Sequence, residues 1–344
     1  MIFFRADSNE QIASGHIMRC LSLARAFRDA GREVCFLVAD ENPLPMLRGA
    51  GVNYHVLHTD WRNLSGEIEQ VQEILQSVAP SVLLIDTYQV SRAYAEALKP
   101  FAKIVYLGSK AEYLGELDAL INYSSDIDYD FYRKAYGGGK TKLLLGVSYA
   151  PLREEFQNIP RHFHPNARRV LLTTGASDPD GTVPAILDAL SPLLLEWDVV
   201  ADVVVGRMFH HRQALRERFQ RNPHIRLHEN VVSMSALMRE SDLAVAACGT
   251  TVYELVASGV PVVMFAMAPE QTRSAHSLGR LGIAEYCGES FADTARCIAK
   301  IAERTRHYIS YPEARKALLE KAGAFIDGNG CDHIVKELAF LFHA

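Results

Sequence analysis

Short apolar runs alternate along this chain with stretches whose apolar residues recur every three or four positions. Residues 1–5 read as a strand. From Ile17 onward, Ile17, Cys20, Leu21, Ala24 and Phe27 share one helical face, and Gly31 stands where that helix would stop. Residues 34–38 read as a strand, 68–78 as a helix, 81–85 as a buried strand ending at Asp86, and 104–107 as another strand. Apolar β runs separated by helices predict a parallel sheet covered on both faces.

Residues 151–167 break this rhythm with three prolines and no sustained period, which marks a connector. The alternation then restarts. Residues 169–174 form a strand, 175–181 a loop and 183–195 a helix. Further strands fall at 199–205, 225–227, 243–247 and 260–265, and the last ~55 residues read as helical. The expected organisation is a Rossmann-like domain over 1–150, a linker over 151–167, a second Rossmann-like domain over 168–330, and a terminal helix over 331–344 that crosses back. Two α/β sheets joined in this way predict a cleft, with the carboxyl ends of the strands toward it.

Composition narrows the function. The 344 residues carry 36 Lys+Arg against 41 Asp+Glu, a formal net charge of −5. There is no basic excess for a nucleic-acid backbone, so none is expected as partner. The longest apolar run, 260–268, is far shorter than a membrane span, and the N-terminus turns polar too early for a signal peptide. Six cysteines without a C-x-x-C pair fit a reduced, cytoplasmic interior. His162 with His164, and His210 with His211, lack nearby Cys or carboxylate partners and read as surface, so no metal site is expected.

Three loops carry the candidate chemistry. The first follows strand one, where Ser14 and Gly15 open into a helix at His16. Glycine lets a ligand approach the backbone, and the amides of a helix start attract anions. The positive end of the helix dipole disfavours imidazolium, so His16 is expected neutral and able to take a proton from water. A plain helix cap is the other reading of the same residue. The second loop, 173–182, holds Gly175, Ser177, Asp178 and Gly181, a turn suited to phosphate, although many βα loops share this composition. No Gly-Lys-Ser/Thr and no G-x-G-x-x-G occurs, which argues against a Walker A loop and a nicotinamide enzyme. In the third, a strand ends at Cys248. Gly249, Thr250 and Thr251 then offer amides and hydroxyls to a diphosphate, and Glu254 sits one helical turn on, where a carboxylate can accept from both ribose hydroxyls. Glu254 could equally complement the helix dipole.

The stretch 246–271 resembles the nucleotide-sugar site of GT-B glycosyltransferases, especially the lipid-linked N-acetylglucosaminyltransferases of peptidoglycan synthesis. More closely, the chain resembles the PseG family of UDP-sugar hydrolases of pseudaminic acid biosynthesis, and the related spore-coat polysaccharide proteins. The shared pieces are Arg5 with Asp7; Gly15, His16, Arg19 and Cys20 (Gly-His-x-x-Arg-Cys); Asp86 with Tyr88; residues 148–156; 175–179; and 249–254. The resemblance implies a GT-B fold and metal-independent, cofactor-free hydrolysis of a UDP-activated deoxy-amino sugar at its anomeric carbon, with inversion. It makes His16 the base and places Tyr88 beside the sugar. Arg5, Asp7, Gly15, Arg19, Asp86, Gly175, Ser177, Val232, Gly249, Thr250, Thr251, Glu254 and Gln271 are then expected at the substrate, with uracil near Val231 and Val232.

The chain departs from this pattern at four places. Ala13 and Ala176 stand where glycines are usual, Glu270 replaces Asn before Gln271, and Gly108 with Ser109 replaces an acidic pair. The nucleotide half is thus better matched than the sugar pocket. Two alternatives to hydrolysis follow: a GT-B glycosyltransferase using the same donor, and a nucleotide-sugar-binding protein without catalysis.

Overall fold

A computed structural model describes residues 1–342, and every strand pairing in its two sheets is parallel. The chain divides into two units, one of residues 1–154 with the segment from Asn329 onward, the other Glu155–Gly328.

The first unit runs β1 (Ile2–Ala6), α1 (Gly15–Asp29), β2 (Val34–Val38), α2 (Leu44–Gly49), β3 (Asn53–Val56), α3 (Ile68–Val78), β4 (Val82–Asp86), α4 (Arg92–Leu98), β5 (Lys103–Leu107), β6 (Ala119–Asn122), α5 (Tyr129–Tyr136) and β7 (Lys142–Leu145). Its sheet order is β3-β2-β1-β4-β5-β6-β7, a doubly wound arrangement whose strand order reverses between β1 and β4. All five residues of β1, β2 and β4 are buried, as expected for strands covered on both faces. The two-residue period sorts β1. Ile2, Phe4 and Ala6 pack with Ile17, Cys20, Leu23, Ala24 and Phe27 of α1, whereas Phe3 joins Val71 and Leu75 of α3 and Tyr94 of α4 in the other core.

The second unit runs β8 (Arg169–Thr173), α6 (Thr182–Glu196), β9 (Val200–Val205), α7 (Arg212–Phe219), β10 (Ile225–Glu229), α8 (Met234–Arg239), β11 (Leu243–Ala247), α9 (Thr250–Ala257), β12 (Val262–Ala266), α10 (Thr272–Leu281), β13 (Glu285–Glu289), α11 (Thr294–Ser310) and α12 (Pro312–Gly323). The order is β10-β9-β8-β11-β12-β13, reversing between β8 and β11. Val170, Val203, Val245 and Phe265 of the sheet pack with Ile186 and Leu190 of α6 and Ile301 of α11. The last helix, α13 (Gly330–Glu337), belongs to the first unit, where Cys331 and Ile334 pack into the core of α1. Among the described residues no helix is long and apolar enough to cross a membrane.

Candidate active site

In a doubly wound sheet, adjacent loops diverge at the carboxyl edge where strand order reverses, leaving a crevice. The first unit's crevice lies between β1 and β4. Asp86 ends β4 and is fully buried; its carboxylate organises the residues that follow β1. Nδ1 of His16 lies 2.6 Å from Asp86 Oδ1. Arg19 donates from Nε to Asp86 Oδ2 at 2.6 Å and from Nη2 to Oδ1. Its Nη1 donates to the Tyr123 hydroxyl at 3.1 Å. Cys20 Sγ approaches Asp86 Oδ2 at 3.3 Å. One helical turn separates His16 from Arg19 and Cys20, so α1 presents all three side chains to one carboxylate.

Burial by itself would raise the Asp86 carboxyl. The Arg19 guanidinium and the hydrogen bonds from Arg19 and His16 outweigh that and hold it below the ordinary value. Burial, with Asp86 beside it, pushes the Cys20 thiol up, which keeps it protonated and a donor. An ionised carboxylate only accepts, so the contact with Asp86 places the imidazole proton on Nδ1. Nη2 of Arg19, which donates to Oδ1, is 2.7 Å from the same nitrogen. In the neutral ring the lone pair then falls on Nε2, the arrangement a general base requires. The imidazole therefore turns to Asp86 rather than to the amides of its own helix. Its ring meets Tyr88 edge-on, with centroids 4.6 Å apart, and Tyr88 is 61% exposed.

Arg5 and Asp7 have other work. Arg5 is fully buried; Nε and Nη2 donate to Glu67 Oε1 and Oε2 at 2.7 and 2.9 Å, and Nη1 donates to Asp7 Oδ2 at 2.6 Å. Glu67 also accepts from the Tyr94 hydroxyl at 2.6 Å, and Asp7 Oδ1 accepts from the Ala39 amide at 2.8 Å. Arg5, expected at the substrate, stands in a buried ion pair that anchors the end of β1, because a fully buried guanidinium needs its charge compensated on the spot. The donors of Arg19 are likewise engaged with protein groups. Gly15, the first residue of α1, is exposed with open space about its Cα. Ala13 adopts φ +52°, a left-handed conformation that glycine takes without strain.

In the second unit the crevice lies between β8 and β11. Gly175 (φ +80°) turns the chain after β8, and the Thr174 hydroxyl donates to the Ser177 carbonyl at 3.0 Å. Asp178 is spent on α6, accepting from the Thr182 and Val183 amides at 2.9 and 3.0 Å. After β11, Gly249 and Thr250 are exposed at the start of α9, Thr251 is half-buried, and Glu254 follows, also half-buried. After β10, Val232 is fully exposed, and Ser233 caps α8 by accepting from the Ala236 amide. After β12, Gln271 Oε1 accepts from the Met267 amide at 2.7 Å, bracing that loop, and Glu270 is exposed. Parallel topology thus gathers Gly175, Ser177, Val232, Gly249, Thr250, Thr251 and Gln271 along one sheet edge. The reading of the sequence missed Glu67 and Tyr123, which pair with Arg5 and Arg19; only their polarity among apolar neighbours hinted at them. Among the described residues no group of three or more His, Cys, Asp or Glu is placed to hold a metal ion.

Comparison with known proteins agrees with this architecture. Residues 161–272, less than half of the chain, match the lipid-A-disaccharide synthetase family, LpxB. The spore coat polysaccharide biosynthesis protein SpsG of Bacillus subtilis (strain 168) is 25% identical over 346 residues, covering 98% of this chain and 97% of its own. The glycotransferase of kitacinnamycin superposes with a TM-score of 0.70 at 15% identity, over 99% of this chain and 98% of its own. MurG of Acinetobacter baumannii superposes with a TM-score of 0.67 at 14% identity, over 98% and 99%. With two doubly wound parallel sheets and these structural neighbours, the chain has the GT-B fold, and along nearly its whole length it is similar to the spore-coat polysaccharide protein SpsG.

Proposed function

We propose that this protein breaks the anomeric bond of a UDP-activated sugar and passes the glycosyl group to an acceptor whose proton His16 removes. The acceptor oxygen attacks the anomeric carbon as the carbon–phosphate-oxygen bond breaks. The bond's electron pair leaves with UDP, the acceptor proton goes to His16 Nε2, and the anomeric centre inverts. Gly249, Thr250 and Thr251 hold the diphosphate in this reading, Glu254 the ribose, Val232 the uracil, and Tyr88 orients the sugar or the acceptor. Asp86 and Arg19 position the base. The observation that carries the proposal is the buried carboxylate of Asp86, 2.6 Å from His16 Nδ1, at the reversal of strand order.

Two acceptors are in contention. A sugar hydroxyl is favoured by the fold, shared with glycosyltransferases, and by the likeness to a polysaccharide biosynthesis protein. Water is favoured by Gly15, His16, Arg19 and Cys20, the motif resembling the pseudaminic acid hydrolases. A panel of UDP-amino-sugars, assayed for free UDP with and without sugar acceptors, separates them. UDP release that requires an acceptor establishes transfer, and release in buffer alone establishes hydrolysis. Tight UDP-sugar binding without release under either condition overturns catalysis and leaves a binding protein.

A further inference from the structure

We propose that the loop joining β9 to α7 is a cationic arm that grips the diphosphate of the bound nucleotide through Arg207, His210 and His211. This rests on the reading of the second unit as a nucleotide-binding unit. The loop leaves the carboxyl edge of β9, next to β8 and one strand from the reversal point. Its place is set by backbone. The Met208 amide donates to the Ala176 carbonyl at 2.9 Å, and a Cβ on Gly206 would lie 2.3 and 2.4 Å from the carbonyl oxygens of Ala176 and Gly175. Only glycine permits that approach, so the arm is zipped to the 175–178 turn rather than swinging free of it.

Arg207, His210 and His211 are all exposed, and among the described residues none of their side chains makes a hydrogen bond or ion pair. Arg212, opening α7, leaves its Nε buried without a hydrogen-bond partner. Of the acids nearby, Asp178 has both oxygens held by α6 amides and interacts electrostatically with His211, and the exposed Asp180 makes no hydrogen bond or ion pair among the described residues. An Arg-His-His group whose side chains have no hydrogen-bonded partner, beside a glycine turn at a sheet's carboxyl edge, suits a multiply charged anion. Arginine binds phosphate oxygens bidentately, and each histidine adds a ring N–H.

Calorimetric titration with UDP and with inorganic pyrophosphate, on the wild-type protein and the Arg207→Ala, His210→Ala, His211→Ala triple variant, tests the arm. The triple variant should melt as the wild type does and bind UDP about tenfold more weakly or worse, with a shallower dependence of affinity on salt. Arg207→Lys with both histidines kept should retain most of the affinity. Wild-type UDP affinity in the folded triple variant overturns the proposal. Should the wild type bind pyrophosphate but not UDP, and the triple variant lose it, the arm stands and the nucleotide reading fails. If the wild type binds neither, both fall.

Discussion

Asp86 Oδ1 lies 2.6 Å from His16 Nδ1 although 70 residues separate them in the chain. Through that contact a residue at the end of one strand sets the tautomer of a residue opening a helix after another. In the neutral ring this contact leaves Nε2 as the basic nitrogen, the one able to take a proton from the acceptor.

Replacing the base should lower turnover while sparing the fold. A positioned general base contributes about 10²–10⁴-fold, so His16→Asn should slow UDP release by that factor with near-normal melting. UDP affinity should hold, because the groups assigned to the nucleotide belong to the second unit. Steady-state rates, UDP titration and a melting curve on the same variant check this, and a wild-type rate would remove His16 as the base.

Asp86→Asn should weaken the first unit and alter its response to acid. The carboxyl, which burial would raise, is held low by Arg19 and His16. A group whose folded pKa is depressed adds stability above its ordinary range and loses it as pH falls through the folded value. The wild type should therefore lose stability on acidification more steeply than Asp86→Asn. Near neutrality the variant should be about 3 kcal/mol less stable, because Arg19 keeps its charge in a mostly buried place without its partner. Urea midpoints measured from acid to neutral pH for both proteins give the two slopes.

Glu254→Ala should weaken UDP binding by about 1–3 kcal/mol if its carboxylate accepts from the ribose hydroxyls. Comparing uridine diphosphate with its 2′-deoxy analogue sharpens the test. The wild type should prefer the ribose form, and the variant should lose that preference. Equal preference in both proteins would reassign Glu254 to the helix alone.

Gly206→Ala forces a methyl group against the Ala176 and Gly175 carbonyls, which are backbone and cannot rotate away. It should cost about 1–3 kcal/mol and loosen the 175–178 turn. A denaturation midpoint unchanged from wild type would show that the two loops move apart at little cost.

The alternation of apolar runs and helical periods was enough to read β1, α1, β2, β4, β5, β8, α6, β9 and β11, since strands buried on both faces and helices with one apolar stripe leave a local signature. It did not reveal β3, β6, β7 or β13. These are four or five residues long, and Asn53, Asn122, Lys142, Glu285 and Gly288 dilute their patterns. The loops rich in Gly, Ser, Thr and Asp, and the Gly-His-x-x-Arg-Cys run, were equally legible, because a turn's chemistry resides in consecutive residues. What each charged side chain does was decided by tertiary structure alone. Nothing local in the sequence shows that Glu67, 62 residues away, holds Arg5 inside the core, or that Asp86, 67 residues away, takes two of the nitrogens of Arg19. Such pairs carry no periodicity and no fixed spacing. The Arg19–Asp86 pair arises only when the parallel sheet sets β1, which leads into α1, beside β4, and the Arg5–Glu67 pair only when the turn before α3 meets the end of β1, because a buried charge is stabilised by whichever opposite charge the fold brings within reach, however distant in sequence.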